Sequence, residues 1–165
     1  MSEKNPKFEK SGWTLEDLFP SGDSKEFKNA LEEAEKKVSA FEKYRDELGE
    51  GISPGKFMEV IQSLEEITRL INRIGGFAEL WFTEDTQNQE AQSLVSETQQ
   101  LAADLSNRVL FFSLWWKSLE EDAAQKLMRG TGDYSYWLEE MRHFKPYTLS
   151  EPEEKIINIK DVTGS

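Results

Sequence analysis

The chain has 165 residues, 37% of them hydrophobic and 32% charged, with a formal net charge of −12 and a mean hydropathy of −0.68. That length suits one domain with a substantial core. The charge excludes the basic footprint that nucleic acid requires and disfavours anionic membrane surfaces. There is no cysteine, so disulfides and thiolate metal ligands are excluded, and a reducing compartment is compatible. Residues 1–9 are polar and carry no apolar signal-peptide core, so the cytoplasm is the expected location.

Residues 1–22 read as a polar tail followed by an aromatic strap. Trp13, Leu15, Leu18 and Phe19 crowd before Pro20 and are expected to dock on the body of the fold. Asp23 or Ser24 caps the next helix, whose apolar row is Phe27, Leu31, Ala34, Val38, Phe41 and Leu48. Its other face is charged, and Gly49-Glu-Gly51 ends it.

Ser53-Pro54 starts a second helix, with Ser as N-cap and Pro at the first position. Phe57, Val60, Leu64, Ile67, Ile71, Ile74, Ala78 and Trp81 repeat along it at steps of three and four. Gly75-Gly76 lies inside this pattern. The pair suits either close approach of a neighbouring helix or a hinge.

Residues 83–88 form a polar turn into a helix over about 89–117, around which the chain is organised. Leu101, Leu105, Val109, Phe112, Trp116 and Leu119 make one apolar row. Leu94, Thr98, Leu101, Leu105, Phe112 and Trp115 make a second, overlapping one. Two adjacent rows bury more than one side, so this is the central helix. Its apolar run is too short and interrupted for a membrane span of about 20 residues. At this spacing Trp115-Trp116 reads as core in preference to a ligand-stacking platform.

Ser118-Leu-Glu-Glu121 resembles a capping box for a short helix through Met128. Residues 129–133 turn, and Tyr134, Trp137, Leu138, Met141 and Phe144 mark another helix, stopped by Pro146. Ser150-Glu-Pro-Glu153 is a second box, opening a final helix with Ile156, Ile157 and Ile159. The expected fold is all-α: an antiparallel bundle of three long helices with about three shorter C-terminal ones. No period-two stretch and no internal repeat is evident.

Chemistry is sparse. His143, the one histidine, lies near a helix end where a cation suits the dipole. A zinc site normally draws on two or more His or Cys. No nucleophile elbow supports a Ser-His-Asp triad. Glu140-Met-Arg-His143 matches the Glu-x-x-His of di-iron bundles once, where two copies are needed. No phosphate-binding loop is present. From residues alone the chain is an acidic helical domain without a self-contained catalytic site.

Three stretches carry a family likeness. Trp13-Thr-Leu-Glu-Asp-Leu-Phe-Pro-Ser21 and the run Leu101–Leu119, with its Asn-Arg-Val-Leu-Phe-Phe-Ser-Leu-Trp-Trp-Lys-Ser centre, resemble oligoendopeptidase F-type zinc peptidases of the thimet oligopeptidase-like superfamily. Phe144-Lys-Pro-Tyr-Thr-Leu-Ser-Glu-Pro-Glu-Glu-Lys-Ile-Ile-Asn158 resembles a later segment of the same family. The likeness covers nearly the whole chain, in the right order and spacing. It implies a metallo-endopeptidase that cleaves short peptides in a helix-walled cavity. In that family a His-Glu-x-x-His helix and a downstream Glu bind zinc, and the motif's Glu acts as general base.

This sequence has no His-Glu-x-x-His, and it stops at Ser165 where family members continue for hundreds of residues. No catalytic, cofactor-binding or metal residue is therefore carried over. Zinc is implied for the parent protein and not for this piece. Residues 23–165 resemble the helical N-terminal domain, which walls or caps the peptide channel. The partners implied are its own C-terminal catalytic domain and short peptide substrates, with neither nucleic acid nor membrane. A detached domain is also expected to expose apolar surface on one side of Ile156–Ile159, through which it self-associates. The alternative is a stand-alone acidic helical-bundle interaction or scaffold domain without enzymatic activity.

Overall fold

The computed structural model describes residues 14–49 and 51–163. Six α-helices follow in order: α1 (Lys25–Phe41), α2 (Pro54–Glu84), α3 (Gln89–Ser118), α4 (Glu121–Met128), α5 (Ser135–His143) and α6 (Glu151–Thr163). Among the described residues there is no strand, so the all-α expectation holds. No helix is long and apolar enough to cross a membrane among the described residues.

The long helices begin where local chemistry places them. Ser24 Oγ accepts from Phe27 N at 3.2 Å, and Ser53 Oγ accepts from Lys56 N at 3.2 Å ahead of Pro54. Asn88 Oδ1 accepts from Glu90 N and Ala91 N at 3.0 and 3.1 Å. In α1 the row Phe27, Ala30, Ala34, Val38 and Phe41 is buried. The helix stops at Phe41, short of the Leu48 that the periodicity suggests. Residues Glu42–Asp46 tighten into a 3₁₀ turn, which rotates the following side chains while leaving Leu48 packed at the core margin. Glu50, inside the expected Gly49–Gly51 stop, lies outside the described residues.

Cross-helix bonds fix the packing. Lys37 Nζ donates to Glu66 at 2.8 Å and Tyr44 Oη to Glu59 at 2.8 Å, so α1 and α2 run antiparallel. α3 touches α1, α2, α5 and α6, the central position that its two apolar rows require. Arg108 on α3 bonds Glu35 at 2.7 Å, Ser39 at 2.9 Å and Glu42 at 2.7 Å on and beside α1. Those hydrogen bonds hold the Glu35 and Glu42 carboxyls below their usual range and push Arg108 up.

The core has two aromatic centres. Phe19 of the strap meets Phe27 and Phe77 edge-on at 5.0 and 5.5 Å, and Arg73 covers its ring at 4.4 Å while donating to Leu18 O. The strap therefore docks as expected, although Trp13 lies outside the described residues. At the other end, Trp116 stacks on Phe57 at 5.1 Å and donates from Nε1 to Leu138 O at 2.9 Å. Trp116 is fully buried and Trp115 half-buried, which bears out the core reading of the pair.

Gly75 and Gly76 depart from expectation. α2 runs unbroken through both, and an added Cβ at either would meet nothing within 4 Å. Close approach of a neighbour is not their role. Ile74, Phe77 and Ala78 fill the core side, so the glycines sit on the flank turned away from it. Each then only weakens the helix, by about 1 kcal/mol relative to Ala. Gly75→Ala and Gly76→Ala are expected to stabilise by about 0.5–1 kcal/mol each, read as a raised urea midpoint with an unchanged slope.

The two expected capping boxes diverge. Ser118 still belongs to the last turn of α3, where its hydroxyl donates back to Trp115 O at 2.7 Å. The N-cap of α4 is therefore Glu120, without a side-chain bond. At α6 the glutamate half of the box forms: Ser150 N donates to Glu153 Oε2 at 2.9 Å, and Ser150 Oγ donates to the same carboxylate. The C-terminus of α3 is closed by the chain that follows. Arg142 donates to Trp116 O at 2.8 Å and Leu119 O at 2.9 Å, and Lys145 to Leu119 O at 3.0 Å.

α6 docks on α3 and on the 3₁₀ turn after α1 by polar bonds. Asn158 donates to Asn107 Oδ1 at 2.8 Å, and Arg45 grips Glu151 through two bonds of 3.1 and 3.0 Å. Arg45, followed by Lys155, holds the Glu151 carboxyl down to about 2. A carboxyl lowered from 4.5 in this way adds stability at neutral pH, and that stability is lost as the pH falls from about 4.5 through about 2. The pair is part-exposed, so its worth is about 1 kcal/mol or less. Glu151→Gln is expected to lower α6 hydrogen-exchange protection at pH 6, with the difference shrinking as the pH falls through about 2.

Candidate functional site

The sequence offered His143 and the single Glu-x-x-His as chemistry to locate. His143 ends α5 with its side chain 64% exposed and Nδ1 3.3 Å from Glu140. Among the described residues no group of three His, Asp or Glu is close enough to hold a metal ion. The described residues therefore do not fit a zinc site.

A half-open concavity lies between α2 and the Tyr134–α5 segment. It encloses about 430 Å³ over Ile61 and Leu64, with Glu65 and Arg69 on one side and Tyr134 and Trp137 on the other. Helical spacing places Ile61, Leu64, Glu65 and Arg69 along one flank of α2. Opposite them, Gly132 takes φ +54°, a left-handed conformation that glycine adopts without strain. The 3₁₀ turn Gly132–Tyr134 then starts α5.

The walls are pinned. Tyr134 Oη donates to Glu65 at 2.6 Å, and Arg69 donates to the same carboxylate at 2.9 Å. These bonds lower the Glu65 carboxyl, Tyr134 contributing most, and the carboxylate in turn raises the Tyr134 phenol. Trp137 lies parallel to Phe112 at 6.3 Å and 6° and is still 40% exposed. One indole face is thus held by the core and surface remains for a ligand.

Sequence reasoning placed Tyr134 and Trp137 in one apolar helix row and did not single out Glu65 or Arg69. In α5 that row is only partly buried: Leu138 is enclosed, while Trp137 and Phe144 are exposed. The positions Tyr134 and Trp137, three apart after a glycine turn, were the available signal. Their partner Glu65 is 69 residues away in sequence, which periodicity does not reach.

The second surface feature is apolar. Tyr136, Trp137, Phe144, Tyr147, Leu149, Ile156, Ile157 and Ile159 are the exposed large apolar side chains among the described residues. All lie between 136 and 159. The apolar surface expected on the final helix is present, because α6 uses its asparagine and glutamate for docking and leaves its isoleucines outward.

Comparisons with known proteins reach this region and beyond it. A family model described as Oligopeptidase F matches residues 115–165. Oligopeptidase PepF of Bacillus subtilis (strain 168) is 28% identical over 159 residues, which is 93% of this chain and 23% of the relative. The chain thus spans less than a quarter of that relative's length. No solved structure matches the chain significantly. These matches bear out the resemblance carried by the strap, the central helix and the Phe144–Asn158 segment: the chain is similar to the N-terminal domain of the oligopeptidase F family.

Proposed function

We propose that this chain is the N-terminal helical domain of a zinc-dependent oligoendopeptidase that hydrolyses short peptides. It walls or caps the substrate channel, and catalysis resides in a further domain of the same protein. The observation that carries this reading is where the exposed apolar side chains fall. Phe144, Tyr147, Leu149, Ile156 and Ile159 all lie in the segment matched by the family model. The relative has more than three-quarters of its length outside the aligned stretch. Apolar side chains at this density suit a surface that another domain covers.

In this reading the domain supplies no reacting group. It supplies a rigid wall: α2 and α3 are packed along their length and tied to α1 by Arg108. A rigid wall restricts the channel to short, unfolded chains. Absence of cysteine suits a reducing compartment, and we place the protein in the cytoplasm. The isolated chain is expected to self-associate through the same apolar surface, seen as a concentration-dependent sedimentation coefficient.

The test is a peptide-hydrolysis assay on protein captured from the source cells with an antibody to this domain. Cleavage of short peptides that stops on chelation and returns with zinc supports the reading. Captured protein that leaves peptides intact, or cleaves them regardless of chelator, overturns it. The 165-residue chain alone is expected to be inactive in either buffer.

A further inference from the structure

We infer that the α2–α5 groove is a peptide-binding subsite that takes one aromatic side chain of a cationic peptide. The inference takes its ligand class, peptide, from the oligopeptidase reading, and adds a place and a charge preference. The volume of about 430 Å³ lies within the range of ligand pockets and is ample for an aromatic side chain with its backbone. Its floor is apolar, from Ile61 and Leu64. Trp137 offers an indole already fixed against Phe112, so a ligand ring stacks without ordering the protein first. Tyr134 is likewise fixed by its bond to Glu65.

Charge decides the kind of peptide. Glu65 and Arg69 pair at 2.9 Å along the α2 side of the groove. The groove's lining pairs one acid with one base within a chain of net charge −12, so the domain's negative field sets the preference. Arg69 is 73% exposed and gives little when it swings away. A ligand guanidinium can therefore replace it at Glu65. An acidic peptide finds only Arg69, already paired, and is repelled by the domain's field. Asn72, also lining the groove, offers an amide donor and acceptor to the ligand backbone.

The experiment titrates the 165-residue chain with two amidated tripeptides, Arg-Phe-Arg and Glu-Phe-Glu, and follows the tryptophan indole N–H resonances by NMR. Arg-Phe-Arg is expected to shift the Trp137 signal saturably in the millimolar range, with affinity falling as salt rises. Trp137→Ala is expected to weaken it about tenfold, and Glu65→Gln to weaken it severalfold while leaving the other indole signals in place. Equal shifts with Glu-Phe-Glu overturn the charge preference. Shifts confined to other tryptophans, or none up to about 10 mM, overturn the subsite. These outcomes separate from the peptidase reading. A failed titration leaves zinc-dependent hydrolysis by the captured protein as it was, and a captured protein without hydrolysis leaves the groove's binding intact.

Discussion

Trp116→Ala is expected to cost about 3–5 kcal/mol, the range for deleting a buried aromatic. The side chain is fully buried in contact with Phe57 and ties α3 to α5 through its bond to Leu138 O. Its removal leaves a large void at the aromatic centre where α2, α3 and α5 meet. It also removes the ring over which Arg142 lies at 5.6 Å, so the cap on α3 loosens with it. Trp116→Phe keeps most of the apolar contact and loses the indole bond, at about 1–2 kcal/mol. Urea unfolding followed by circular dichroism reads both. Equal effects of the two substitutions would mean that packing volume at this site is unimportant.

Phe19→Ala is expected to cost about 3–4 kcal/mol and to act locally before it acts globally. Phe19 is 1% exposed, yet it belongs to a strap held mainly by this ring, the turn bond Phe19 N to Leu15 O at 3.0 Å, and Arg73. Without the ring, Phe27 and Phe77 lose their edge-on partner. Hydrogen exchange is expected to rise first at residues 15–24 and at the facing turn of α2, while the Trp116 end stays protected. Uniform loss of protection would instead place the strap inside one cooperative unit with the whole bundle.

The long helices were legible because local signals and apolar rows agree there. Ser24, Ser53-Pro54 and Asn88 each satisfy the first free amides of a helix, and the rows of α1, α2 and α3 point inward from those starts. Central placement of α3 followed from its two rows, since a helix apolar on two sides needs neighbours on both. Ser118 shows where local reading fails: a Ser-x-x-Glu pattern is a box only if the serine has left the preceding helix, and here it has not. Gly75-Gly76 shows the complementary failure. Sequence marks the missing side chains but not the empty space beside them.

The C-terminal helices were legible as helices and not as packing. A period of three or four marks the apolar side of α5, yet only Leu138 on it is enclosed. The groove depends on contacts across long separations, Tyr134 to Glu65 and Trp137 to Phe112, that no local window contains. Fold was therefore readable from residue spacing and the candidate subsite was not. The family likeness bridged part of that gap for function, because it rests on long segments of unusual composition and not on catalytic motifs.

The most direct test of the account is the mass of the endogenous protein, detected in the source cells with an antibody to this domain. The account predicts a species several-fold heavier than 19.1 kDa, the size expected of a peptidase that carries its catalytic domain on the same chain. A species at 19.1 kDa would contradict it and leave an acidic helical bundle that works by binding alone.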